Sequence, residues 1–197
     1  MTSIELRGQR LVLASASPRR AELLRSVGLE FDILPADIDE TVRPGESPAD
    51  YVARLSVEKA RVVAGQVGPD ALVVAADTTV DVDGRILEKP LDEADARRML
   101  ALLSGRTHLV HTGVTSRGGS ARLAAGTVVV ETAVEFVTLT PATVEWYIGT
   151  GEPFGKAGGY AIQGAGGALV RRVDGSVTNV IGLPLAETLE RISAPAP

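Results

Sequence analysis

Two serines and two arginines stand within six residues, Ser15-Ala16-Ser17-Pro18-Arg19-Arg20, directly after the apolar run Leu11-Val12-Leu13-Ala14. A short buried strand that turns into a helix at Ser17-Pro18 leaves free backbone N–H groups and the positive end of the helix dipole at one spot, an arrangement that suits phosphate. Ser15 and Ser17 add hydroxyl donors, and Arg19 and Arg20 add two guanidinium forks. Positive charge in a first helical turn is unfavourable by ~0.3–1 kcal/mol. A bound phosphate would outweigh that, since each charge-assisted hydrogen bond contributes roughly 1.5–3 kcal/mol. Taken alone, the segment is more ordinary: helices capped by Ser and opened by Pro are common and Arg is usually exposed, so a solvated helix start is the plainer reading.

Asp77 follows the apolar run Ala71 to Ala76, which reads as a strand ending at Asp77-Thr78-Thr79. Its carboxylate is expected near the end of a sheet, where α/β proteins place ligands. There it could orient or deprotonate water, or it could cap the turn through Thr78 or Thr79; the segment leaves both open. Lys89, in Leu87-Glu88-Lys89-Pro90, is either a counter-charge or a surface lysine beside a turn. Asp39 and Glu40 carry the hard oxygen ligands that suit magnesium or manganese, although a solvated acidic loop explains them equally simply. Lys59 sits beside Glu58 in a helical stretch, where an exposed lysine is the common case.

Other motifs fail on spacing. Gly155-Lys156 has Thr150 where a P-loop needs its first glycine and Ala157 where it needs a metal-binding hydroxyl. Gly164-Ala165-Gly166-Gly167 lacks the dinucleotide spacing and precedes a strand-like Ala168-Leu169-Val170 rather than a helix. His108 and His111 are the only histidines, and an odd spacing on a strand sends them to opposite faces, against a paired metal site.

These residues need elements to hold them. A strand over Arg10 to Ser15 leads into a helix that Gly28 ends, and Phe31 to Leu34 reads as a second strand. A helix follows from about Pro48 to Gly65, with Tyr51, Val52, Leu55, Val62 and Val63 on its core face. Asp83-Gly84 marks a hairpin turn. Asp92 caps a helix whose Ala96, Met99, Leu100 and Leu103 recur at helical spacing before Gly105. His108 to Ser116 and Leu123 to Leu139 suit a long antiparallel hairpin around Gly118-Gly119. Pro141 and Pro184 open short helices, and a strand pair is expected around Asp174-Gly175. The pattern is α/β with a mixed sheet, in one lobe or two, within one domain over residues 1–197.

Composition narrows the function. The 197 residues are 45% hydrophobic and 23% charged, the balance of a compact globular chain. With no cysteine there is no disulfide framework, thiolate zinc site or cysteine nucleophile. A net charge of -5 argues against a broad nucleic-acid surface while permitting a local anion pocket. The longest apolar run is far short of a membrane span, and Met1 to Arg10 lacks the apolar stretch of a signal peptide, so a cytoplasmic protein without a membrane partner is expected.

In order along the chain stand Ser15-x-Ser17-Pro18-Arg19-Arg20, Glu58-Lys59-Ala60, Ala76-Asp77-Thr78, Glu88-Lys89-Pro90 and Leu103-Ser104-Gly105. Lys156-Ala157-Gly158-x-Tyr160-x-Ile162-Gln163-Gly164, Gly175-Ser176 and Asn179-Val180-x-Gly182-Leu183-Pro184 follow. From Leu11 to about Leu189 this set resembles the Maf family of nucleoside triphosphate pyrophosphatases. The resemblance implies an elongated mixed central sheet with helices on both sides, related to inosine triphosphatases, and a homodimer. It implies cleavage of a nucleoside triphosphate between its α and β phosphates with a divalent cation, Mg2+ or Mn2+. Asp77 is then the general base; Ser15, Ser17, Arg19, Arg20, Lys59 and Lys89 hold the triphosphate; Glu40 joins Asp77 on the cation. Arg19, Thr78 and Gln163 fall at the positions associated with a preference for dTTP and UTP, and the Gln163 amide can both donate to and accept from a pyrimidine edge. The branch that prefers 7-methyl-GTP carries Glu in place of that Gln. A house-cleaning enzyme removing pyrimidine triphosphates is the leading expectation, beside a nucleotide-binding regulator of septum formation with little catalysis.

Overall fold

Short and buried on both faces, the run from Leu11 forms β1 (Arg10–Leu13), parallel to β2 (Asp32–Ile33) on one side and to β3 (Ala71–Val82) on the other. The computed structural model describes residues 9–118 and 126–193. Among them seven strands form one mixed sheet and six α-helices pack on it. Asp83 and Gly84, both with positive φ (53° and 77°), fold β4 (Arg85–Leu87) back antiparallel onto β3, the primed turn that matches strand twist. β5 (Thr107–Gly118) and β6 (Gly126–Phe136) extend the sheet as an antiparallel pair, and β7 (Val170–Asp174) completes it. The expected hairpin tip, including Gly119 and Leu123, lies outside the described residues.

Two expectations need correction. β3 does not end at Asp77 but runs on to Val82, because β5 pairs with it from Leu72 to Asp81 and satisfies its backbone. Polar side chains at Asp77, Thr78 and Thr79 do not stop a strand whose hydrogen bonds are made. There is likewise no strand pair around Gly175. β7 stops at Asp174, and Ser176 caps the short helix α5 (Val177–Ile181) by accepting the Asn179 N–H at 3.2 Å.

Three further helix starts are closed by side chains, the expected Asp92 among them, whereas Ser17 sits before Pro18 at a helix N-cap without a side-chain cap bond. Ser47 caps α2 (Pro48–Val67), Asp92 caps α3 (Glu93–Leu103) and Thr140 caps α4 (Pro141–Gly149), each through its side chain. α1 (Pro18–Ser26) ends at the left-handed Gly28, with the Leu29 and Gly28 N–H groups closing on Leu24 and Arg25 carbonyls at 3.2 and 2.9 Å. α2 covers one face of the sheet, its Ala60 and Val63 packing on Val12, Val73 and Ala75. It presses close to β5 because Gly113 has no side chain; a Cβ there would strike the Val52 carbonyl.

The opposite face carries two apolar clusters. Ala21 and Leu24 of α1 and Ile192 of α6 (Leu185–Ser193) pack on Leu72, Val74, Ala76 and Val114. Met99, Leu100 and Leu103 of α3 and Tyr147 of α4 pack with Val80, Val82, Val110 and Val134. Thr78 and Thr112, register partners in β3 and β5, fall between the two clusters as a polar seam. No helix of the described residues is long and apolar enough to cross a membrane.

β1 follows β3 only to Val74, and β4 joins the same strand only from Val80. The edge between them, with Asp77, Thr78 and Thr79, has no strand beside it among the described residues. Asp77 is therefore mid-strand and yet at the end of the parallel part of the sheet.

Candidate active site

β1 leaves the sheet just after the Ala14 N–H bonds to the Val74 carbonyl at 2.8 Å, and its continuation through Ser15 to Arg20 turns across the gap. The Ser17 N–H donates to the Ser15 hydroxyl at 3.2 Å; Ser17 holds the N-cap position of α1 without making a side-chain cap of its own. Arg20 is a strut. Its guanidinium donates to the Gly182 carbonyl at 2.7 Å, to Ser15 Oγ at 3.0 Å and to Thr78 Oγ1 at 3.0 Å. Burial lowers its pKa, with Asp77 pulling the other way and Arg19 adding to the fall. A guanidinium keeps its charge regardless.

The Thr78 hydroxyl lies 2.9 Å from that of Thr112, which donates to the Asn179 carbonyl at 3.0 Å. Thr112 has thus used its one proton, so Thr78, which accepts from Arg20, donates either to Thr112 or to the Gly182 carbonyl at 3.4 Å. Asn179, fully buried, extends the chain to the Val110 carbonyl and Thr132 hydroxyl, both at 2.9 Å. This line of bonds ties the strand-turn-helix unit to α5 through the polar seam.

On the α2 side, the Lys59 ammonium sits 2.6 Å from Asp77 Oδ1 and 2.6 Å from Glu40 Oε1. The Lys59 and Asp77 side chains are only 9% and 11% exposed, so this is a buried pair and Lys59 is no surface lysine. Lys89 stands at the mouth, largely exposed, 3.8 Å from Glu40 Oε2. Desolvation raises the Glu40 pKa, but the Lys59 hydrogen bond and the charges of Lys59, Lys89 and Arg20 outweigh it and hold the carboxyl below its ordinary value. Asp39 instead accepts the Thr41 N–H at 2.9 Å and does not line the cavity.

Glu40 is placed by α2. Tyr51 donates to its carbonyl at 2.9 Å, and Arg54 grips Glu46 at 2.6 and 2.8 Å and the Thr41 carbonyl at 3.1 Å. The Arg54 hydrogen bond, against the cost of desolvation, brings the Glu46 pKa from 4.5 to about 2. A depressed carboxylate stabilises the fold above its unfolded pKa and loses that contribution as pH falls through the folded value. Glu46→Gln is therefore expected to cost roughly 1 kcal/mol at neutral pH and to flatten the wild-type fall in stability between pH ~4.5 and ~2, read from urea midpoints.

Both arms border one cavity of about 510 Å3, within the ordinary range for small-molecule sites. Its far end holds Arg19, Lys156 and Gln163. Burial lowers the pKa of Arg19 and of Lys156, and the Arg19 charge lowers that of Lys156 further. Gln163 is exposed to the cavity, and no hydrogen bond from the described residues engages its amide.

Every residue singled out for the triphosphate, Ser15, Ser17, Arg19, Arg20, Lys59 and Lys89, lines this cavity, as do Asp77, Glu40, Thr78 and Gln163. Arg20 and Thr78, like Lys59 and Ser15, are committed to protein bonds. Among the described residues no group of three or more His, Cys, Asp or Glu converges as a metal cage. Glu40 and Asp77, drawn to one ammonium, nevertheless fit a hard divalent cation of the kind that takes one or two carboxylates and fills its shell with phosphate oxygens and water. His108 packs against Phe136 and Tyr160 at ring-centroid distances of 5.0 and 5.4 Å, whereas His111 lies 3.5 Å from Asp81 on the other face.

Sequence reasoning missed Tyr51, Glu152 and Lys156. Tyr51 reads as core from its helical spacing, and it is core, but its hydroxyl holds the Glu40 backbone. A signal existed for Glu152: the amides of a Gly-rich turn need acceptors, and Glu152 is the nearest carboxylate on the N-terminal side of Gly164–Gly167.

Residues 10–194 match a family model described as Maf-like protein. A dTTP/UTP pyrophosphatase of Anaeromyxobacter dehalogenans (strain 2CP-C) is 56% identical over 192 residues, spanning 95% of this chain and 96% of its own. A dTTP/UTP pyrophosphatase of Myxococcus xanthus (strain DK1622) is 52% identical over 190 residues, covering 95% and 94%. Among solved structures, a HAM1 protein from Coxiella burnetii aligns with 65% of this chain and 73% of its own at 21% identity and a TM-score of 0.44.

Proposed function

The chain belongs to the Maf family, and from that premise we infer that it is a nucleoside triphosphate pyrophosphatase that hydrolyses dTTP and UTP to the monophosphate and pyrophosphate. The observation that carries the reading is the Lys59 ammonium held 2.6 Å from both Asp77 and Glu40 in a cavity that the α1 N-terminus also lines. Paired carboxylates beside a cation and an anion-binding turn are what water attack on a polyphosphate requires.

The steps follow from the placements. Ser15, Ser17 and the free N–H groups at the start of α1 bind one phosphate, and Arg19, Lys59 and Lys89 offset the remaining charge. Arg20 holds that wall to β3 and to the Gly182 loop while adding its charge to the field. Asp77 accepts a proton from water as the water oxygen bonds to the α phosphorus and the bond from that phosphorus to the α–β bridging oxygen breaks, its electron pair leaving on pyrophosphate. Glu40 and Asp77 would hold the divalent cation, which when bound supplies charge neutralisation at the phosphate oxygens. Arg19 and Gln163 would meet the pyrimidine, with Gln163 able to match a base edge that both donates and accepts, while Thr78 would act through its bond to Arg20. The cytoplasm, where nucleotide pools lie, is the compartment that goes with this reading.

With UTP and magnesium or manganese, the expected products are UMP and pyrophosphate in equal amounts, read by ion-exchange chromatography with a pyrophosphate assay. Orthophosphate as the first product would sink the assignment.

A further inference from the structure

Glu152 lies behind the cavity wall, and its carboxylate organises the segment that carries Gln163. Oε1 accepts from the Tyr147 hydroxyl and from the Gly166 N–H, both at 2.8 Å, and Oε2 accepts from the Ala165 N–H at 3.0 Å. Tyr147 in turn accepts the Ala161 N–H at 3.1 Å. One carboxylate and one phenol thus grip the backbone at 161, 165 and 166, on both sides of Gln163. Gly164 lets the carboxylate in, since any side chain at that position would collide with it. The same charge acts on Arg19 and Lys156, the two cations at this end of the cavity.

We propose that Glu152 is a positioning residue for base selection, setting where the Gln163 amide and the Arg19 guanidinium meet the pyrimidine. The proposal rests on the pyrophosphatase reading above. It explains a carboxylate among cations at a site meant for a polyanion: it neutralises none of the phosphate charge and does not line the cavity. Its three acceptor bonds instead fix a loop otherwise held by the Ala161 N–H to Tyr147 and by the local turns Gly164 to Ala161 and Gly167 to Gly164. A loop without the Glu152 bonds would let the amide drift from the distance at which it separates a uracil O4 from a cytosine amine.

The test is the ratio of kcat/KM for UTP over CTP in Glu152→Gln. The amide keeps the side chain's shape but turns one acceptor oxygen into a donor, so at least one of the three donors loses its partner. The ratio is expected to fall by about tenfold, through a higher KM for UTP with kcat largely kept. Tyr147→Phe, which removes the other half of the grip without touching charge, is expected to lower the ratio in the same direction and decides the matter if Glu152→Gln does not fold. Equal losses for UTP and CTP, or no change in either, would overturn the proposal. Wild-type protein that releases no pyrophosphate from UTP would instead defeat the underlying reading, and that arm is read first.

Discussion

Asp77→Asn is expected to lower kcat for UTP by about 10²–10⁴-fold, the usual contribution of a positioned general base. The fold should survive. Asn has the same shape, its carbonyl oxygen can still accept from Lys59, and Glu40 remains 2.6 Å from that ammonium as a charged partner. Nucleotide binding should be kept or tightened, because one negative charge disappears from a wall that faces a polyanion. Pyrophosphate release under saturating UTP, set beside equilibrium titration of the nucleotide, separates the two quantities. Turnover within tenfold of wild type would remove Asp77 from the role of base. Loss of binding in proportion to turnover would make it a binding residue instead.

Lys59→Met acts on the same cluster from the other side. Lys59 is the cation shared by a buried Asp77 and a half-buried Glu40, and methionine fills its volume without its charge. Breaking a buried pair leaves an uncompensated carboxylate, a loss of about 3 kcal/mol once the open mouth of the site is allowed for. Without the ammonium that holds Asp77 and Glu40 in place, kcat/KM for UTP is expected to fall by about 10³-fold. In the wild type Glu40 titrates below its ordinary value, so the stabilisation is present above the unfolded carboxylate pKa and is lost as pH falls through the folded one. The gap in urea stability between wild type and variant should accordingly be widest near pH ~7 and shrink toward pH ~3. A pH-independent gap would mean that Lys59 serves packing alone.

The two variants report on one arrangement that three separated segments create: the acidic loop, α2 and β3. Tyr51 and Arg54, from the helix that also supplies Lys59, hold the loop so that Glu40 meets the ammonium. A one-turn shift of α2 would break all of these contacts together. That gives the close seat of α2 over Gly113 a consequence for the chemistry as well as for the core.

Much of the molecule was legible in the sequence wherever the determining interaction is local. Ser47, Asp92 and Thr140 cap their own helices within three residues, Asp83-Gly84 closes its own hairpin, and Gly28 ends its own helix. The strand-turn-helix at Ser15 to Arg20 was legible for the same reason, and so was the candidacy of Asp77 after its apolar run. What the sequence could not settle depends on partners far along the chain. β3 continues past Asp77 because β5, some thirty to forty residues later, pairs with it, and no property of residues 77–79 announces that. The break in the sheet edge exists because β1 ends and β4 begins at different points of the same strand. Lys59 is buried because a loop from one side and a strand from the other close over it, where helical periodicity alone gives a surface lysine. Arg20, drawn from sequence as a phosphate ligand, is spent largely on Gly182 and Thr78, residues far from it in the chain. The sequence by itself determined which residues could do the chemistry, since residue type and short-range capping and turn formation are encoded locally. Only the tertiary structure decided which of them share a cavity and which are tied up as struts, since burial and long-range pairing fix where a charge finds its partner.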